Sequence, residues 1–275
     1  MPKQMVNRRS QILEIAQNDE NIRGIFLYGS KVNKEVQPDR YQDFDIYYIA
    51  ENIDEFDVSV FTGVGLMFVP SDNYPEIFEN EYAYLMLFED DSRIDLVVCT
   101  RETFLQKHAN EIPMECLLDK DNNLPKTNLG FNEDYYIKPI DEIIFAGTCS
   151  EFLWELQNVA KGIKRDELSY TMFIRDIGVR DMLNKIIDAY IKVNNDSAAV
   201  GTLGKYRKKY LLETQYSTYK MTYLSTTFED VWKSIFYMLE LFEELGMCVA
   251  SHYGYKYPES EVRYMKDYLI RVRDR

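Results

Sequence analysis

Residues 43–50 read Asp-Phe-Asp-Ile-Tyr-Tyr-Ile-Ala, two carboxylates opening a run of β-branched and aromatic side chains. Such a run predicts a strand. Side chains two apart on a strand share a face, so Asp43 and Asp45 stand side by side. Further strand-like runs lie around this one, at 22–28, 64–69, 82–88 and 94–99. The first is apolar and ends at Gly29-Ser30, as a buried strand leading into a turn would. The acidic stretch Glu89-Asp90-Asp91-Ser92-Arg93 between the last two predicts a hairpin. Helices over 8–18 and about 101–109, with a last strand near 115–119, complete a small mixed sheet with helices packed on it.

Beyond about residue 135 the pattern changes. Segments 141–163, 167–193, 203–213, 228–250 and 259–273 carry apolar residues at three- and four-residue spacing and predict helices. Val231, Ile235, Phe236, Leu239 and Phe242 form one clear stripe. Polar residues and Pro139 in 131–140 mark the expected linker. The expectation is an α/β domain over 1–135 followed by an all-α helical bundle over 136–275.

Composition removes several function classes. The 275 residues carry a net charge of −14, which opposes nucleic-acid binding and attracts a cationic small molecule. Four dispersed cysteines form no C-x-x-C pair, and His108 and His252 are the only histidines. A thiolate or imidazole zinc site is therefore disfavoured, and any chemistry falls to carboxylates. No apolar run approaches a membrane span, and MPKQMVNRRS has no signal-peptide character, so a cytoplasmic protein is expected.

Paired carboxylates on one strand face can bridge two Mg²⁺ ions for in-line phosphoryl chemistry. Gly29-Ser30, after its own strand, offers backbone amides and a hydroxyl to a phosphate. Asp95 lies inside the apolar run Ile94-Asp95-Leu96-Val97-Val98, where a carboxylate is costly unless paired or bound to metal. A third metal ligand explains it.

This motif order, Gly29-Ser30, Asp43-x-Asp45, then Asp95, resembles the nucleotidyltransferase superfamily. More narrowly, the chain resembles the aminoglycoside 6-adenylyltransferases, which modify streptomycin. The likeness spans almost the whole chain. It includes Gln42-Asp43-Phe44-Asp45-Ile46, Ile94-Asp95-Leu96 and Leu118-Asp119-Lys120-Asp121 in the first half. In the second it includes Cys149-Ser150-Glu151-Phe152, Arg165-x-Glu167, Gly204-Lys205 and Tyr255-x-Tyr257-Pro258.

The resemblance implies an enzyme that uses ATP and Mg²⁺, two ions expected, to move AMP onto an aminoglycoside hydroxyl, conferring resistance. Asp43, Asp45 and Asp95 match the metal carboxylates, with Asp95 also the candidate base. Gly29, Ser30 and Lys31 match the triphosphate turn, and Lys205 a lysine that neutralises nucleotide phosphates. Glu151 and Glu167 match acidic positions facing the acceptor, in a cleft expected between the domains. The chain departs from the family at two places. Lys31 stands where Arg is usual, and Phe173-Ile174 where an Asp-His pair is usual. The alternatives are the same transfer onto a protein side chain or another small molecule, or a non-catalytic binding member. The oligomeric state is open, and a monomer is compatible with everything above.

Overall fold

The computed structural model describes residues 7–110, 113–130 and 135–275. The chain divides into two units, 1–132 and 133–275. The division falls in the expected linker, whose residues 131–134 lie outside the described ones, as does the leading stretch 1–6.

In the first unit, α1 (Arg8–Asn18) starts at Asn7, whose side chain accepts from the Ser10 amide. It is followed by β1 (Ile22–Tyr28), β2 (Phe44–Ala50), β3 (Val64–Phe68) and the single turn α2 (Pro70–Asn73). Then come β4 (Glu81–Phe88), β5 (Arg93–Thr100), α3 (Arg101–Lys107) and β6 (Met114–Asp119). The six strands lie in the order β3-β4-β5-β2-β1-β6. The expected hairpin is β4–β5, whereas β2 and β5 run parallel, in continuous register from Phe44↔Ile94 to Ala50↔Thr100.

Each sheet face has its own core. Ile46, Tyr48 and Ala50 face one, with Ile12 and Ala16 of α1 packed there. Tyr47 and Ile49 face the other, with Phe26 and with Phe104 of α3. By the two-residue period, Asp43 and Asp45 continue the Tyr47 face beyond that core.

Two buried ion pairs hold helices to this sheet. Arg8 lies 3.6 Å over the Phe88 ring and donates to Asp90 at 2.9 Å and Ser92 at 2.7 Å. Glu81 meets His108 Nε2 at 2.8 Å and Lys107 Nζ at 3.4 Å, while His108 Nδ1 lies 3.1 Å from the Tyr47 hydroxyl. Burial alone would raise the Glu81 carboxyl. The His108 and Lys107 contacts outweigh it and hold the group below its ordinary range. Asp90 is likewise held well down, the Ser92 and Arg8 hydrogen bonds overcoming desolvation.

A carboxyl depressed on folding stabilises fully above its unfolded pKa, about 4, and that contribution is lost as pH falls through the folded value. Melting temperature should therefore decline on acidification below about pH 4. Glu81→Gln should melt several degrees below the wild type at pH 7, with the gap narrowing in acid. Melts across pH 3–7 check this, and a gap independent of pH would contradict it.

The second unit is helical: α4 (Glu142–Lys164), α5 (Leu168–Phe173), α6 (Arg180–Asn194), α7 (Glu213–Met221), α8 (Phe228–Tyr253) and α9 (Glu259–Asp274). Phe152 and Phe242 stack at 3.8 Å in its core, among the fully buried Leu156, Ile235 and Leu245. Two expectations need correcting here. The 167–193 segment is not one α-helix, because a π-helical turn, Ile174–Val179, joins α5 to α6. Its buried arginines reach out of the helix, Arg175 to the Leu224 carbonyl and Arg180 to Thr222. Residues 203–213 are not a helix either. Gly201, Leu203 and Gly204 all take positive φ, which breaks the helical path, and only two short 3₁₀ turns form. Among the described residues no helix is long and apolar enough to cross a membrane.

Candidate active site

The site is built by strand register. Tyr28 of β1 pairs with Asp45 of β2, and Gly29 then turns the chain at a φ of +72°. A Cβ on Gly29 would stand 2.2 Å from Asp45 Oδ2. Only glycine lets the turn approach the carboxylate this closely, and only glycine adopts that φ without strain. Gly29–Lys31 form a 3₁₀ turn, tied back by Gln42 Nε2 donating to the Ser30 carbonyl at 3.0 Å.

On the other side of β2, Asp45 is directly opposite Asp95 of β5. Asp43 lies two residues before Asp45, and Arg93 two residues before Asp95. Neighbouring parallel strands in register present these four side chains on one face. Arg93 donates to both oxygens of Asp95, Nε at 2.7 Å and Nη2 at 2.5 Å. Its Nη1 lies 3.4 Å from Asp43 Oδ2. The Asp95 hydrogen bond raises the guanidinium pKa above its ordinary value, with Asp95, Asp43 and Asp45 charges adding to it. Asp95 is therefore paired within the protein, by a partner that the expectation of a third metal ligand leaves out. The same two-residue rule that joins Asp43 to Asp45 would have found it.

Lys31 lies 4.1 Å over the Phe44 ring. Desolvation pulls its amine pKa below the ordinary value, against the Asp43, Asp45 and Asp39 charges. The turn thus carries a half-buried cation close to the carboxylates.

Three carboxylates on adjacent strands, with an open glycine turn beside them, suit a hard divalent cation such as Mg²⁺. That ion takes few protein oxygens and leaves the rest of its sphere to water and phosphate. Among the described residues no three His, Cys, Asp or Glu side chains are already gathered around one cation position. Arg93 places a guanidinium beside Asp43 and Asp95.

In the second unit Glu151 is exposed on α4, near Trp154, which is 68% exposed. Glu167 is the exposed N-cap residue of α5. Phe173, which ends α5, is 63% exposed rather than core. Lys205 is exposed and lines a concavity with Lys208, Lys220, Tyr216 and Tyr219. Arg207 in the same basic run is structural. It is buried and fixed by Asp188 at 2.7 and 2.8 Å and by Asn184 at 3.0 Å.

Residues 3–272 match the sequence profile of the family described as streptomycin adenylyltransferase. An aminoglycoside 6-adenylyltransferase of Bacillus subtilis (strain 168) is 29% identical over 256 residues, covering 90% of each chain. One from Campylobacter jejuni is 29% identical over 268 residues, covering 94% of this chain and 92% of the relative. A crystal structure of an aminoglycoside 6-adenyltransferase from Bacillus subtilis aligns over 96% of both chains, at 27% identity and a TM-score of 0.48.

Proposed function

The chain belongs to the streptomycin adenylyltransferase family, and from that premise we propose that it transfers AMP from ATP to a hydroxyl of an aminoglycoside, releasing pyrophosphate. The observation that carries this reading is the set of Asp43, Asp45 and Asp95 on one face of β2 and β5, beside the Gly29 turn. When bound, Mg²⁺ would supply neutralising charge at the α-phosphate and lower the pKa of the acceptor hydroxyl.

The chain's own groups do the rest. Amides and hydroxyl of Gly29-Ser30 hold phosphate oxygens, and Lys31 adds charge beside them. The acceptor oxygen forms its bond to the α-phosphorus as the α–β bridging bond breaks, and pyrophosphate leaves. Asp95 accepts the hydroxyl proton. Glu151 and Glu167 take the guanidinium or ammonium groups of the acceptor through charge-assisted hydrogen bonds. With ATP as co-substrate, the reading is of a cytoplasmic reaction.

The test is a panel of aminoglycosides incubated with ATP and Mg²⁺, read by mass spectrometry and pyrophosphate release. The expected result is a product heavier by one AMP, with one pyrophosphate per transfer. Pyrophosphate release with no aminoglycoside modified would point to another acceptor. No release with any acceptor would leave a binding protein.

Lys205 has its own expected outcome. A contact to phosphates present in both ground and transition states acts on KM rather than kcat. Lys205→Ala should raise the ATP KM about tenfold, the size of one lost charge-assisted hydrogen bond. Steady-state kinetics with ATP varied checks it, and a change confined to the acceptor KM would move Lys205 to the other substrate.

A further inference from the structure

We propose that Arg93 is an internal counter-ion that occupies the carboxylate cluster until a divalent cation displaces it, and so sets the affinity of the nucleotide-free protein for that cation. This rests on the reading that Asp43, Asp45 and Asp95 are the metal ligands.

The backbone dictates the arrangement. Asp45 and Asp95 are paired in the parallel ladder, and the residues two before them extend the same face. The result is a patch of three carboxylates and one guanidinium. Three like charges at this spacing repel one another, and a fixed cation relieves them. Arg93 meets that need with a two-pronged grip on Asp95, the geometry that a planar guanidinium matches best. Its remaining nitrogen turns toward Asp43.

The same contacts stand in the way of a metal. Both Asp95 oxygens already accept from Arg93, and one Asp43 oxygen lies 3.4 Å from its Nη1. A divalent ion on these oxygens would lie within a few ångströms of the guanidinium and repel it. Arg93 opens β5 at the hairpin mouth and its side chain is 42% exposed, so it has solvent to swing into. Nucleotide phosphates arriving with the cation would draw it outward. In the metal-free protein Arg93 then neutralises the carboxylate cluster, and the cation binds well only when nucleotide comes with it.

The experiment measures Mn²⁺ binding by the paramagnetic resonance of the free ion, on nucleotide-free protein, for the wild type, Arg93→Gln, Arg93→Lys and Asp45→Asn. Arg93→Gln should bind Mn²⁺ at least tenfold more tightly than the wild type. Arg93→Lys, which keeps the charge and loses the fork, should fall between. In EDTA, Arg93→Gln should melt below the wild type, and Mn²⁺ should raise its melting temperature by more. A merely structural arginine would lower stability without tightening the metal. Unchanged or weaker Mn²⁺ binding in folded Arg93→Gln or Arg93→Lys overturns the proposal, and a loss confined to ATP affinity would make Arg93 a phosphate ligand instead. If the wild type binds Mn²⁺ no better than Asp45→Asn even with a non-hydrolysable ATP analogue, the metal reading itself fails, and this inference with it.

Discussion

Asp45→Asn should lower AMP transfer by at least about a hundredfold, the scale on which a single group acting on developing charge is felt, while leaving the fold intact. Asparagine matches the shape of aspartate while removing the charge and turning one acceptor oxygen into a donor. Asp45 is flanked by Asp95 in the ladder and packed against Gly29, so the substitution also relieves repulsion between carboxylates. The melting temperature of metal-free protein should therefore hold or rise. Asp43→Asn should behave alike, with one difference. Asp43 also faces Arg93 Nη1 at 3.4 Å, so some ion-pair stabilisation goes with it. Pyrophosphate release at saturating ATP and acceptor, beside a thermal melt, checks both. A folded variant that keeps more than a few per cent of the wild-type rate removes that aspartate from the metal set.

A binding module would gain nothing from three carboxylates without compensation. The structure changes that premise, since Arg93 compensates two of them. What still favours catalysis is the company they keep. A positive-φ glycine pressed against Asp45 and a half-buried lysine beside the turn suit a phosphate-bearing substrate.

The legible parts of the fold share a physical cause. Strands β1, β2, β4 and β5 and helices α4, α8 and α9 bury one face or the whole segment, so burial writes its period into the sequence. Other features leave no such trace. The spacing does not announce helix α7, and it predicts a helix over 203–213 because apolar residues there recur every three or four positions. Three positive φ angles at Gly201, Leu203 and Gly204 decide otherwise, and a leucine at positive φ is not foreseeable from composition. The π turn at Ile174–Val179 keeps a helical appearance while shifting phase by a residue, which periodicity averages away. The parallel pairing of β2 with β5 is a long-range choice.

Within the site, Asp43 and Asp45 stand out as a pair on one strand face, and Asp95 because charge inside an apolar strand is expensive. Arg93 does not, because by itself an arginine at a hairpin mouth is ordinary, and the two-residue rule singles it out only when run back from Asp95. Phe173 shows the converse. An aromatic side chain is ordinarily core, yet Phe173 is 63% exposed.

Gly29→Ala tests whether the site depends on close approach as well as on charge. The substitution touches no ionisable group and leaves all three carboxylates in place. It asks an L-residue to hold a φ of +72°, which costs about 1–2 kcal/mol. It also places a methyl 2.2 Å from Asp45 Oδ2, a separation no real contact sustains. Either the turn moves or the Asp45 side chain does. Tyr28, one residue earlier, is pinned by its ladder partner Asp45 and by stacking on Tyr47 at 4.5 Å, so the backbone has little room to yield. The carboxylate is the softer partner and should rotate off its position. A displacement of about 1 Å at a reacting centre is enough to cost about a hundredfold in rate. Transfer should fall by that order, with a melting temperature only a few degrees lower, and Mn²⁺ binding should weaken in parallel. Gly29→Ala with normal metal binding and a raised ATP KM alone would make the turn a phosphate cradle that does not set the carboxylate. Near-normal turnover would mean that Asp45 Oδ2 has no fixed role in the reaction.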